Sequence, residues 1–172
     1  MNKDYLLVDG YNIIFAWKKL NKLAEDNIEA AKDALINMLC NYQGVKKMNL
    51  ILVFDAYKVA GGQGSVEKQG GIYIVYTKEA ETADSYIEYT THVLSRDYNV
   101  TVATSDGLEQ MIITGRGAVR MSARDLYEEV MGLYIGICCV ADGMPIGFGT
   151  LVRCVATGKS HFSGGYRAGN CR

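Results

Sequence analysis

Four aspartates carry the chemistry open to this sequence. Asp9 closes the apolar run Tyr5-Leu6-Leu7-Val8, Asp55 closes residues 48–54 (MNLILVF), and Asp106 follows residues 99–104 (NVTVAT) by way of Ser105. Asp84 falls in the first turn of a helix expected after the apolar run at 71–76. In open α/β sheets ligands bind outside the carboxyl ends of the strands, so acids far apart in sequence converge there. Carboxylates gathered in one place repel, and each resists ionising. A divalent cation removes that conflict. Mg²⁺ and Mn²⁺ favour oxygen ligands and leave positions for water and phosphate. Such an ion activates a bound water and neutralises charge on a phosphodiester under attack. Asp9, Asp55, Asp84 and Asp106 are therefore the candidate metal-binding and catalytic set for phosphodiester hydrolysis.

Each aspartate taken alone has an ordinary reading. Asp after a buried strand is also a turn residue or a helix N-cap. Asp106 suits a cap for a short helix at 107–114, and Asp84 suits a helix N-terminus. Asp9 and Asp55 are hardest to explain as caps, because no obvious helix start follows them. Four acids in this arrangement weigh against the joint ordinary reading. Asn12, in Asp9-Gly10-Tyr11-Asn12, either holds a metal-bound water or phosphate oxygen, or caps the first helix. Ser105 and Glu81 flank site residues, with plain exposure the simpler reading of Glu81. Lys78, Arg120 and Arg124 fall near strand ends or the last helix start, where they can contact RNA phosphates. Lys58 and Lys68 belong to a glycine-rich stretch, 57–71, that reads as a mobile loop, with closure over RNA the sharper reading and a plain flexible loop the simpler one.

The elements that must position these groups alternate. Strands are expected at 5–8, 48–54, 71–76, 99–104 and 118–121. Helices are expected at 12–22, 27–42, from Thr82 to about 98, at 107–114, and from a Ser122 cap through Val130. Strands alternating with helices predict a parallel sheet and a three-layer α/β/α sandwich. Residues 1–131 make one domain. Residues 132–172, rich in glycine and paired cysteines, follow neither periodicity and are set apart as an atypical tail.

Composition narrows the setting. At 172 residues the chain suits one domain with a sizeable core. No apolar run has membrane-spanning length, and the first residues lack a signal-peptide h-region. A net charge of −1 does not argue for nucleic acid by itself. Five cysteines without an export signal read as reduced thiols in a cytoplasmic protein.

Five motifs in order carry a resemblance: Leu7-Val8-Asp9-Gly10-Tyr11-Asn12, Val53-Phe54-Asp55-Ala56, Thr77-Lys78-Glu79 with Glu81-Thr82-Ala83-Asp84, Ala103-Thr104-Ser105-Asp106, and Ser122-Ala123-Arg124-Asp125. Over residues 4–130 the chain resembles the YacP-like branch of the NYN domain family, within the PIN-like nucleases. The resemblance implies an α/β/α PIN-like fold, Mg²⁺ or Mn²⁺ bound by Asp9, Asp55, Asp84 and Asp106, and cleavage of RNA. It also implies mRNA and the ribosome as partners. Neither a membrane nor a dinucleotide cofactor is expected. The tail departs from the family, whose last helix continues as a charged, basic segment.

Other signals fall away. Gly158-Lys159-Ser160 lacks the earlier glycine of a Walker A loop, having Arg153 in its place. The cysteines and His161 lack zinc-site spacing. His92 and Trp17 read as packing or surface residues. A phosphoacceptor signalling domain also places aspartates at strand ends, but it pairs acids after the first strand, where this chain has Gly10. A non-catalytic RNA or ribosome binder that retains the acids is the remaining rival.

Overall fold

A computed structural model describes residues 3–55, 64–105 and 118–142, with side chains through residue 133. The six strands are β1 (Asp4–Asp9), β2 (Asn49–Phe54), β3 (Ser65–Gln69), β4 (Ile72–Tyr76), β5 (Asn99–Thr104) and β6 (Val119–Ser122). The five described helices are α1 (Gly10–Ala16), α2 (Lys18–Asp26), α3 (Ile28–Lys46), α4 (Ala83–Leu94) and α5 (Ala123–Asp142). One sheet runs in the order β3-β4-β2-β1-β5-β6, parallel throughout except for β3. The expected α/β sandwich with a mostly parallel sheet is thus the observed fold.

Alternation along the strands builds two cores. Leu6 and Val8 of β1 pack with Leu50, Leu52, Phe54, Ile72 and Ile74 on the face covered by α1, α2, α3 and α5. Leu7 faces the other way and packs with Val53, Val75, Val100 and Val102 beneath Ala83 and Ile87 of α4. Side chains point alternately to the two faces, so strands covered on both sides read as continuous apolar runs.

Three expectations about the elements are corrected. The single helix expected at 12–22 is two helices, because Trp17 is extended (φ −88°, ψ 107°), ending α1 and preceding α2. The break lets the indole reach inward, where its Nε1 donates 2.7 Å to the Ala123 carbonyl and its ring meets Tyr127 edge-on. The stretch read as a mobile loop at 57–71 contains β3, antiparallel to β4. All five β3 residues are exposed, so no apolar alternation marked them. The hairpin turn is Gly70-Gly71 with φ of 53° and 91°, the pair of positive φ values a tight two-residue turn requires. The helix expected to end at Val130 continues as α5 to Asp142, past the boundary drawn at 131. Residues 56–63, with Lys58, and the helix expected at 107–114 lie outside the described residues, as do the rejected motifs beyond 142. No described helix is long and apolar enough to cross a membrane.

Gly10 makes the turn from β1 into α1 possible. A Cβ there would lie 2.3 Å from Cε1 of Phe54, whose ring is fully buried and cannot yield. Gly10→Ala is expected to cost about 1–3 kcal/mol through overpacking. Urea denaturation checks this, as a lower midpoint at unchanged slope.

Candidate active site

The strand order reverses at the centre of the sheet. From β1 the chain proceeds to β2 and β4 on one side, then returns to β5 and β6 on the other. The helices between β1 and β2 cover one face, and α4, between β4 and β5, covers the other. In such sheets the usual binding place lies outside the carboxyl ends of the strands where the order reverses, here β1 and β5.

Asp9 stands at that point, as the last residue of β1 and 4% exposed. It is also the N-cap of α1. Its Oδ1 accepts from the Asn12 amide N–H at 3.0 Å, and its Oδ2 accepts from Asn12 Nδ2 at 3.0 Å. Asn12 Oδ1 in turn accepts from the Ser105 hydroxyl at 2.7 Å, tying the end of β1 to the end of β5. The reading that Asp9 resists explanation as a cap is corrected, because α1 starts at the very next residue. Asn12 is not the cap. It sits inside α1, and its amide serves to orient the Asp9 carboxylate.

Asp55 joins Asp9. The register sets Asp9 beside Val53 of β2, and Asp55 lies two residues further along that segment. Two residues span about 6–7 Å along a strand and return to the same side of the pleat. The two carboxyls feel each other. Burial is the main cause that pushes the Asp9 pKa up; the Asn12 hydrogen bonds oppose it, and the charge of Asp55 adds to the rise.

The other sequence candidates occupy varied places. Asp84 is exposed in the first turn of α4, behind the Thr82 cap, which accepts from the Ser85 N–H at 3.2 Å. Asp106 lies outside the described residues. Among the described residues no three Asp, Glu, His or Cys side chains stand close enough to share an ion. The described site is therefore a two-acid core, Asp9 with Asp55, in which Asn12, backed by Ser105, holds the Asp9 carboxylate. Lys78 is exposed just past the end of β4. Arg120 is exposed within β6, level with Val102 rather than at the strand end. Arg124 pairs with Glu128 at 2.9 Å on the surface of α5, a contact weak enough to be exchanged for a phosphate. Ser122 and Asp125 cap α5 reciprocally: Ser122 Oγ accepts from the Asp125 N–H at 3.1 Å, and Asp125 Oδ2 accepts from the Ser122 N–H at 3.2 Å. The last motif is thus a helix start.

One feature escaped the sequence. Lys32 of α3 places Nζ 5.6, 5.5 and 5.6 Å from the ring centroids of Tyr11, Phe54 and Tyr76. Its side chain is 12% exposed, and its ammonium pairs with Glu29 at 2.9 Å. Each ring is next to, or one residue from, a residue of the carboxyl edge. No local signal reveals the cluster, since the rings come from three separate segments.

Comparisons with known proteins bear on the family and the fold. The family described as the YacP-like NYN domain matches residues 6–134. The chain is 43% identical over 128 residues to a Bacillus subtilis (strain 168) protein described as "Uncharacterized protein YacP", covering 74% of this chain and 75% of that one. It is also similar to the crystal structure of Rae1 (YacP) from Bacillus subtilis, with TM-score 0.66 and 37% identity over 88% of this chain and 90% of that one. For a mutant of that same protein, with one tryptophan replaced by leucine, the TM-score is 0.68, with 36% identity over 88% and 92%.

A raised acid pKa has a defined consequence for stability. Because the folded-state pKa of Asp9 lies above its unfolded value, its contribution is most favourable at low pH and is lost as pH rises through the folded value. Asp9→Asn, which keeps a capping side chain, is expected to raise the melting temperature of the metal-free protein at pH 7. The gain should shrink toward pH 4. Thermal unfolding across that range checks both signs.

Proposed function

The chain belongs to the YacP-like NYN domain family, and from that premise we propose that it is a metal-dependent endoribonuclease. Membership carries a nuclease-like, RNA-related function. The finer reading is carried by one observation: two carboxylates, one of them buried and opposed by the other's charge, meet at the strand-order reversal of a parallel sheet. Such a pair fits a hard divalent cation, because oxygen donors that repel when bare are what Mg²⁺ or Mn²⁺ requires.

Asp9 and Asp55 would hold the ion, with Asp84 and Asp106 as the further acids of the set. When bound, the ion supplies a more acidic water and charge neutralisation at the phosphodiester. The protein's own groups do the rest. Asn12 and Ser105 fix the Asp9 carboxylate, so that no reorganisation is needed when charge develops. Lys78, Arg120 and Arg124 lie exposed for RNA phosphates. Water attacks phosphorus in line, and the leaving ribose oxygen takes up a proton. The substrate we propose is mRNA engaged with the ribosome, in the cytoplasm.

The test is cleavage of a labelled mRNA with Mn²⁺, with and without ribosomes, comparing wild type with Asp9→Asn and Asp55→Asn. Loss of a metal-binding carboxylate removes several kcal/mol of transition-state stabilisation, on the order of 10²–10³-fold in rate. Metal-dependent cleavage that falls by this much in both variants supports the reading, and a requirement for ribosomes supports the mRNA context. A folded wild-type protein that binds RNA without cutting it would replace the nuclease with a binder that keeps its acids.

A further inference from the structure

We infer that the exposed ring of Phe15, stacked on Tyr11, is a platform for an unpaired nucleobase of the RNA, near the Asp9–Asp55 pair. The inference deepens the nuclease reading and rests on it.

Phe15 is 56% exposed, although Ile13 and Ile14 beside it are fully buried. Its ring lies 6.3 Å from that of Tyr11 at an interplanar angle of 18°, near-parallel and offset, with more than half of the residue open to solvent. Tyr11 is itself fixed. It meets Phe54 edge-on at 5.4 Å and takes the Lys32 ammonium at 5.6 Å. Phe54 stacks on Tyr76 at 5.7 Å and 21°. Four rings therefore run in series from the buried floor of the site to an exposed end. Pre-ordered rings lose little entropy on binding, and every base offers a π face to such a surface.

Position and charge select nucleic acid as the occupant. Phe15 is six residues beyond Asp9, the N-cap of α1, which is about 9 Å along a helix axis. A base on Phe15 is thus close to a phosphate at the acids. Just beyond it in the chain, Lys18 and Lys22 are exposed on α2, four residues apart and so on one face of that helix. A basic track next to an aromatic platform is the arrangement that holds single strands without reading sequence.

The test uses the full-length Asp9→Asn protein, so that RNA stays intact, with Phe15→Ala, Phe15→Leu or Phe15→Trp added. Fluorescence anisotropy compares a short unstructured RNA with a fully abasic strand of the same length. Phe15→Ala and Phe15→Leu are expected to weaken RNA binding by about 5- to 150-fold. Phe15→Trp should keep affinity, and the abasic strand should respond to none of the three. With Asp9 restored, Phe15→Ala should raise KM more than it lowers kcat. Unchanged RNA affinity in Phe15→Ala would overturn the platform, as would a leucine that binds as well as phenylalanine. So would self-association that depends on Phe15 while RNA binding does not. Metal-dependent cleavage without any Phe15 effect sinks the platform alone. Phe15-dependent RNA binding by a wild type that never cleaves keeps the platform and sinks the nuclease.

Discussion

A buried carboxylate at the carboxyl end of β1 is the constraint on which the rest of the site depends. Asp9 caps α1, accepts two hydrogen bonds from Asn12 and faces the charge of Asp55. In a low-dielectric setting an unpaired charge is costly and a satisfied network is rigid. The Asn12 amide, held from behind by Ser105, supplies the satisfaction that burial demands. The repulsion from Asp55 remains, and it is the feature on which the proposed affinity for a hard cation rests. On the proposed function, stability and activity would pull against each other at this one side chain.

Beneath the acids lies an aromatic floor. Phe54 is pressed by the backbone of Gly10 from one side and stacks on Tyr76 on another. Lys32 is the cation over three of the rings, its charge shared with Glu29. Cation–π contacts gain strength when desolvated, and a lysine only 12% exposed at its side chain is in that regime. The floor couples the first turn of α1 to the ends of β2 and β4, so the turn that presents Asp9 and Asn12 is set by packing as well as by its cap. Trp17 extends the coupling to the start of α5, where its indole N–H satisfies the Ala123 carbonyl. On the far side of α3, Tyr42 donates to Glu129 of α5 at 2.7 Å and Lys46 pairs with the same carboxylate at 3.0 Å. Burial and the Glu129 charge push the Tyr42 hydroxyl well above its ordinary range, and those contacts hold Glu129 below its own.

Much of the fold was legible because burial on both faces writes a simple pattern. The apolar runs in β1, β2 and β4 and the β-branched stretch of β5 could be read directly, and so could the Thr82 and Ser122 caps. The exposed strand β3 was not legible, since its five residues face water and only its Gly70-Gly71 turn betrays a hairpin. The break at Trp17 was hidden for a different reason. Helical spacing continues through residues 12–22, and the interruption comes from a contact 106 residues away. Of the site, Asp9, Asp55, Asn12 and Ser105 were named from sequence and are found together at the switch point, although the roles of Asp9 as cap and Asn12 as orienting group were not foreseen.

The sequence by itself determined the α/β class, the parallel core and the placing of acids at strand ends, because period and residue type are local properties. It also determined family membership, through motifs whose order along the chain is itself information. Only the tertiary structure decided which groups meet. The register that sets Asp9 beside Val53, and so brings Asp55 near, is fixed by two cores packing at once on opposite faces of the sheet. The hydrogen bond from Ser105 to Asn12 and the rings around Lys32 join segments that no spacing along the chain relates. Contacts of that kind exist only after the strand order has been chosen, and that choice belongs to the packing of the whole domain.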